Sequence, residues 1–191
     1  MNHTASRLPK HGYTLIELVV VMAIASLLLS LSAIGLHGTI LSQKLSAAAT
    51  ALENDLRMMA LMAVKENRSI YLRLLPQPNE PSQYHGWKFI GANPATGQWE
   101  DLSGPHMLPH GIVFMNHPDY SNILQLNPVE PATGMFFGFT RSGETTLPKT
   151  ADSRWCLTLA GAADIGKKPA ELPTNARTLV INAHTGSVMV Y

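Results

Sequence analysis

Residues 12–36 read GYTLIELVVVMAIASLLLSLSAIGL, and the fold turns on this stretch. From 18 to 43 no Asp, Glu, Lys or Arg interrupts it. A helix rising about 1.5 Å per residue needs about 20 apolar residues to cross a bilayer's hydrocarbon core. The reading is therefore a transmembrane helix segment over 13–41, preceded by a short leader, 1–12, that carries Arg7 and Lys10. That basic flank keeps the N-terminus cytoplasmic and sends the rest of the chain outward. Glu17 stands at the head of the apolar run. A carboxylate at membrane depth costs about 2.5–3.5 kcal/mol, so Glu17 is a functional candidate by default.

The helix is expected to continue past the apolar run. After Pro9 no proline occurs until Pro76, and an interior proline would cost a helix about 3 kcal/mol. Leu45, Ala49, Leu52, Leu56, Met59 and Ala63 recur at steps of four and three, one face of an amphipathic continuation over 42–68. Lys44, Glu53, Asp55, Arg57 and Glu66 are placed elsewhere on the wheel. One helix from about 13 to 66 would be about 80 Å long, with Gly35 and Gly38 as the places to bend.

Beyond Asn67 the texture becomes short β-like runs between turn residues. Strands are expected at 70–75, 87–90, 112–115, 123–126, 135–140, 155–159, 178–182 and 187–191. The last two flank Ala183-His184-Thr185-Gly186 and read as a closing hairpin. The fold class is thus α+β: a long N-terminal helix, transmembrane in its first half, packed by its second half on an antiparallel sheet domain over 69–191. Trp87, Trp99 and Trp155 are expected to fill that domain's core.

Composition narrows function further. The 191 residues are 46% hydrophobic and 14% charged, with formal net charge +1. Without residues 1–12 there are 12 basic against 13 acidic residues, so no nucleic-acid partner is expected. Cys156 is the only cysteine, which excludes an intramolecular disulfide and reads as packing. His106, His110 and His117 follow no tight ligand spacing and read as loop-surface residues, so no metal and no cofactor is expected. No GxSxG, HExxH or phosphate-cradling loop is present, which speaks against an enzyme.

The stretch GYTLIELVVVMAIASLL resembles the class III signal of type IV prepilins and type II secretion pseudopilins. The resemblance implies that a prepilin peptidase cuts after Gly12 and N-methylates the new first residue, Tyr13. It also implies that Glu17, fifth from the cut, meets the N-terminal amine of a neighbouring subunit. Further on, LENDLRMMALMAVKENRSIYLRL resembles the helix-to-strand passage of minor pseudopilins of the general secretion protein H type. GWKFIGANPATGQWED, FFGFTRSGETTL and TLVINAHTGSVMVY are similar to that type more loosely. Minor pilins of the fimbrial T kind share the domain type. The lack of a disulfide loop, and of a proline within the apolar helix, favours a minor component over a major filament subunit.

The implied partners are the prepilin peptidase, other pilin or pseudopilin subunits, an inner-membrane assembly platform and membrane lipid. The implied location is the bacterial inner membrane, single pass, with the outer domain periplasmic and incorporated into a pseudopilus. Two other readings stand beside this one. A minor pilin binding a ligand, in adhesion or DNA uptake, is one, although Thr185–Tyr191 contains no Arg or Lys. The other is a signal-cleaved exported domain, with Ser30-Leu31-Ser32 before Ala33 as its cleavage site.

Overall fold

A helix starting at Leu15 is the first element of the computed structural model, which describes residues 14–78, 80–128, 134–150, 154–165 and 171–191, side chains at 31–37, 81 and 82 excepted. Helix α1 spans Leu15–Lys65, 51 residues, through Gly35 and Gly38. The expected leader 1–12 and Tyr13 lie outside the described residues, as do the side chains of 31–37 within the expected span. Among the described residues no helix is long and apolar enough to cross a membrane. The chain divides into two compact units between Ile40 and Leu41. In the first, every described side chain from 14 to 30 is exposed.

The second unit, Leu41–Tyr191, is built around the inner face of α1. Leu45, Ala49, Leu52, Leu56, Met59 and Ala63 are at most 1% exposed, the stripe that the spacing predicts. Each large side chain so buried contributes about 1.5–3 kcal/mol. After the left-handed turn at Asn67 (φ 53°), β1 (Ile70–Gln77) alternates as a half-buried strand should, with Ile70, Leu72 and Leu74 inward. It pairs antiparallel with β2 (Glu80–Ala92) and, on its other edge, with β6 (Met135–Phe139). Strands β3 (Trp99–Asp101) and β4 (His106–Met107) both pair with β2.

A second antiparallel sheet has the order β5-β7-β8-β9, from Ile112–Phe114, Arg154–Gly161, Arg177–Asn182 and Val188–Val190. Two sheets therefore replace the single sheet expected, and side chains from both join the helix in one core. Phe89 and Phe137 come from the first sheet, and Leu157, Leu159, Leu179 and Ile181 from the second.

Three expectations need correction. Residues 123–126 are not a strand: Asn122–Gln125 is a 3-10 helix with Ile123 and Leu124 both buried. Side chains there do a strand's pairing. β5 ends at Phe114, and beyond it Asn122 Oδ1 accepts from the Cys156 amide (2.6 Å). Asn122 Nδ2 donates to the Arg154 carbonyl (3.2 Å), and the Thr158 amide donates to Ser121 Oγ (2.9 Å). Trp99 is not core. It lies 40% exposed on the edge strand β3, edge-on to Tyr71. Asp55, expected on the polar face, is buried.

Two hairpin loops repeat one device. In Asn93–Gln98 and in Asn182–Ser187 the Asn side-chain oxygen accepts from the amides two and three residues on. The glycine four on, Gly97 or Gly186, returns its amide to the Asn carbonyl at 2.8 Å. Both glycines have positive φ, 71° and 69°, a conformation that costs side-chain-bearing residues most.

Candidate functional site

Two regions of α1 carry polar chemistry in apolar surroundings, one at its start and one at mid-length of its sheet-facing portion. At the start, Thr14 is the last non-helical residue, and its carbonyl accepts from the Leu18 amide (3.2 Å). The Glu17 amide donates to Thr14 Oγ1 (3.3 Å), and the Thr14 amide donates to Glu17 Oε2 (2.8 Å). Thr14 Oγ1 also donates to Oε2 (3.0 Å). This is a capping box, in which N-cap Thr and N3 Glu satisfy each other's free amides, and a carboxylate there complements the helix dipole. Both contacts from Thr14 fall on one carboxylate oxygen, Oε2. Gly12 and Tyr13, the expected cleavage junction, lie outside the described residues.

The Thr-Leu-Ile-Glu spacing of a capping box is legible in 14–17, and a reading directed only at the membrane cost of Glu17 passes over it. The local chemistry gives that residue a fold-level reason to exist before any partner arrives.

The second region centres on Asp55. The wheel places it beside Leu52, Leu56 and Met59, so period 3.6 turns it inward with them. Its Oδ2 accepts from Trp87 Nε1 (2.8 Å) and from His106 Nδ1. His106, expected as a loop-surface histidine, is thereby tied to the helix, with its ring edge-on to Trp87. One carboxylate thus fastens β2 and the short β4 onto α1. His117 faces Asp119 (3.8 Å) and stacks on Tyr120. His110 lies with His85, Gln77 and Pro109 in the lining of a cavity of about 420 Å³. No group of three or more metal-binding side chains converges among the described residues.

Next to the Asp55 cluster the helix is open. A groove of about 350 Å³ has Ala47, Ala48 and Ala51 of α1 on one side and Trp87, Pro105, His106, Met107 and Pro109 on the other. Along the exposed face of α1, Met58, Leu61 and Val64 are 46%, 71% and 52% exposed. The helix accordingly has apolar side chains on both faces, although only the inner one meets the sheets. The sequence signal for this outer face is the second 4-3 spacing, Ala47, Ala51, Met58 and Leu61, offset from the buried one.

Cys156 is half-buried in β7, and burial raises its thiol pKa above the ordinary value, against the smaller opposing pull of Arg154. That holds it as the thiol, the form poor in nucleophilicity.

Compared with known proteins, the chain matches the family described as the prokaryotic N-terminal methylation motif over residues 7–33. No curated protein matches it. Two solved structures to which it is similar are of the minor pseudopilin EpsH from the type 2 secretion system of Vibrio cholerae. One is 13% identical, covering 78% of this chain and 96% of that chain, with TM-score 0.49. The other is 12% identical, covering 78% and 94%, with TM-score 0.49. Gly12, Tyr13 and Glu17 all fall within the stretch that matches, so the chain carries the N-terminal methylation motif of prokaryotes.

Proposed function

We propose that this chain is a structural subunit, a minor pseudopilin of a type II secretion-type pseudopilus. It is cut by prepilin peptidase after Gly12, N-methylated on Tyr13 and held in the inner membrane by residues 13–41, with the outer domain in the periplasm. The observation that carries this reading is the methylation motif at 7–33, placed at the head of a 51-residue helix.

The physics of the junction supports assembly as its purpose. Cutting after Gly12 creates a free amine on Tyr13, and Glu17 lies one helical turn on. An unpaired charge at membrane depth is expensive. The Tyr13 amine of one subunit and the Glu17 carboxylate of the next relieve each other. Thr14 engages Oε2, and Oε1 is the atom offered to the incoming amine. Pairing then sets the axial register of one helix on its neighbour.

The experiment is the mature N-terminus. In cells with a prepilin peptidase, mass spectrometry of the membrane form should find a chain beginning at N-methylated Tyr13. A Gly12→Val variant should stay uncut. A mature chain starting at Ala33 would replace this reading with the signal-cleaved exported domain.

A further inference from the structure

Between the end of β2 nearest Glu80 and the edge strand β5, the outer domain holds a cavity that the assembly role does not use. His85 and His110 line it. Its volume of about 420 Å³ lies near the lower end of the ~300–1,000 Å³ of small-molecule pockets. Leu108, Ile112 and Val113, each at most 8% exposed, supply apolar wall. The segment that carries them is tied down at both ends. The Leu108 amide donates to the His85 carbonyl (2.8 Å), and the Ala162 amide donates to the Gly111 carbonyl (2.8 Å). Between these anchors the Ile112 amide closes a turn on the Pro109 carbonyl (3.0 Å), with Gly111 at φ 84°. His110 therefore stands exposed on a fixed turn, and the cavity is formed before any occupant arrives.

The His85 ring decides what kind of occupant fits. Its Nδ1 is buried without a hydrogen-bond partner, and among the described residues it is the only buried side-chain nitrogen or oxygen in that state. A buried N–H without an acceptor is rarer than a buried lone pair without a donor. The half-buried ring therefore carries its proton on Nε2, where a partner can reach it. Nε2 is then a donor and not a metal ligand. A metal on Nε2 would move the proton to Nδ1, and a metal-bound imidazole needs an acceptor for that second N–H. Nδ1 has none.

The ring thus calls for an acceptor, and the His110 ring on the same cavity can donate to it as well. No Asp or Glu lines the cavity to repel an anion. A carboxylate can take one donor on each oxygen, and it holds them more strongly than a neutral carbonyl does. The apolar wall leaves room beside it for a branched side chain.

We infer that this cavity binds a carboxylate on a branched apolar body, the chemistry shared by the C-terminal residue of a peptide and by a free short-chain acid. This is a binding activity in addition to the assembly role, and it does not depend on that role.

The test uses the full chain in phosphatidylcholine nanodiscs, with empty nanodiscs as blank, and reads line broadening of the probes by NMR. Acetyl-glycyl-leucine and isocaproate are the two carboxylates, and acetyl-glycyl-leucinamide is the neutral control. The better carboxylate should bind about tenfold more tightly than the amide, the scale of one charge-assisted hydrogen bond. Preference for the peptide assigns a chain terminus as the source, and preference for isocaproate assigns a free acid. His110→Ala, on an exposed turn, should weaken the carboxylate about tenfold. His85→Phe keeps a ring and removes the orphaned nitrogen, so it should erase the preference for carboxylate over amide without lowering Tm. Equal binding of amide and acids, no broadening by either acid at millimolar concentration, or full carboxylate binding in both variants would each overturn the inference.

Discussion

At Glu17 two roles compete for one carboxylate, and they make different demands on it. The capping box needs an acceptor at the third helical position, and glutamine supplies one nearly as well as glutamate. Pairing with a neighbour's amine needs the negative charge. Glu17→Gln keeps the cap and removes the charge, whereas Glu17→Val removes both. Both variants should insert and be cut after Gly12, and both should fail to enter filaments or cross-link to a neighbour. A Glu17→Gln chain that assembles like wild type would reduce Glu17 to a cap. Asp55 poses the opposite case, a charge whose purpose is internal. Asp55→Ala leaves Trp87 Nε1 without its acceptor, which costs about 1–3 kcal/mol for a buried donor. In a chain of this size that lowers Tm by roughly 2–4 °C per kcal/mol. Asp55→Asn keeps an acceptor oxygen and should lose less. Equal melting of wild type and Asp55→Ala would show that the helix holds β2 and β4 by apolar packing alone.

Among the elements, legibility follows periodicity. The helix and the strands β1 and β8 are visible in the sequence because apolar spacing names the buried face of each, and β6 and β7 because they hold short runs buried on both faces. The 3-10 helix at Asn122–Gln125 is hidden, because Ile123 and Leu124 are apolar neighbours and the pairing is done by Ser121 and Asn122 side chains. β3 and β4 are too short to show a period. The join between α1 and β3 is equally non-periodic and rests on charge. Arg68 contacts Glu66 (2.6 Å) and Glu100, and Glu100 also accepts from Asn93 Nδ2 (3.0 Å). The hydrogen bond from Arg68, with a second from Asn93, holds the Glu100 carboxyl below its ordinary value. A lowered folded-state value means that the contribution is complete above the ordinary glutamate range and is lost as pH falls through the folded value. Acid titration of Tm should therefore fall less steeply for Glu100→Gln than for wild type, and superimposable profiles would remove Glu100 from the acid response. Gly138 makes a sharper test of the β1–β6 join. A β-carbon there would run into the Ile70 carbonyl oxygen and the Tyr71 backbone, neither of which can swing aside. Gly138→Ala should destabilise by about 1–3 kcal/mol, as overpacking does, read as a lower midpoint in urea.

For the whole molecule, the division between Ile40 and Leu41 separates two kinds of stability. The N-terminal unit exposes Leu15, Val19, Leu27 and Leu29 among many apolar side chains, and nothing within the described unit covers them. The second unit closes its own core from α1, both sheets and the 3-10 helix. This large-scale plan was readable from the proline-free run and the charge-free stretch. The two-sheet arrangement was not, because the pairing of β6 with β1 across more than sixty residues leaves no local mark. A fragment beginning at Leu41 tests the division. Its first buried side chain is Leu45, so the cut leaves about one helical turn, residues 41–44, ahead of the packed face, and fraying at a new helix start is confined to about one turn. Its 12 basic and 12 acidic residues leave it neutral, and with one cysteine its stability has no disulfide to depend on. The fragment should be soluble, show mixed α/β circular dichroism, and unfold in one cooperative transition unchanged by reductant or chelator. It should also bind DNA no more tightly at low salt than at moderate salt, since counterion release requires a cationic face that its charge balance does not supply. A fragment that aggregates, or folds only with residues 14–40 restored, would mean that the helix start is part of the outer core. A shift of its midpoint with chelator would instead point to a metal in its folding, and the histidines of the outer domain would be the first residues to replace.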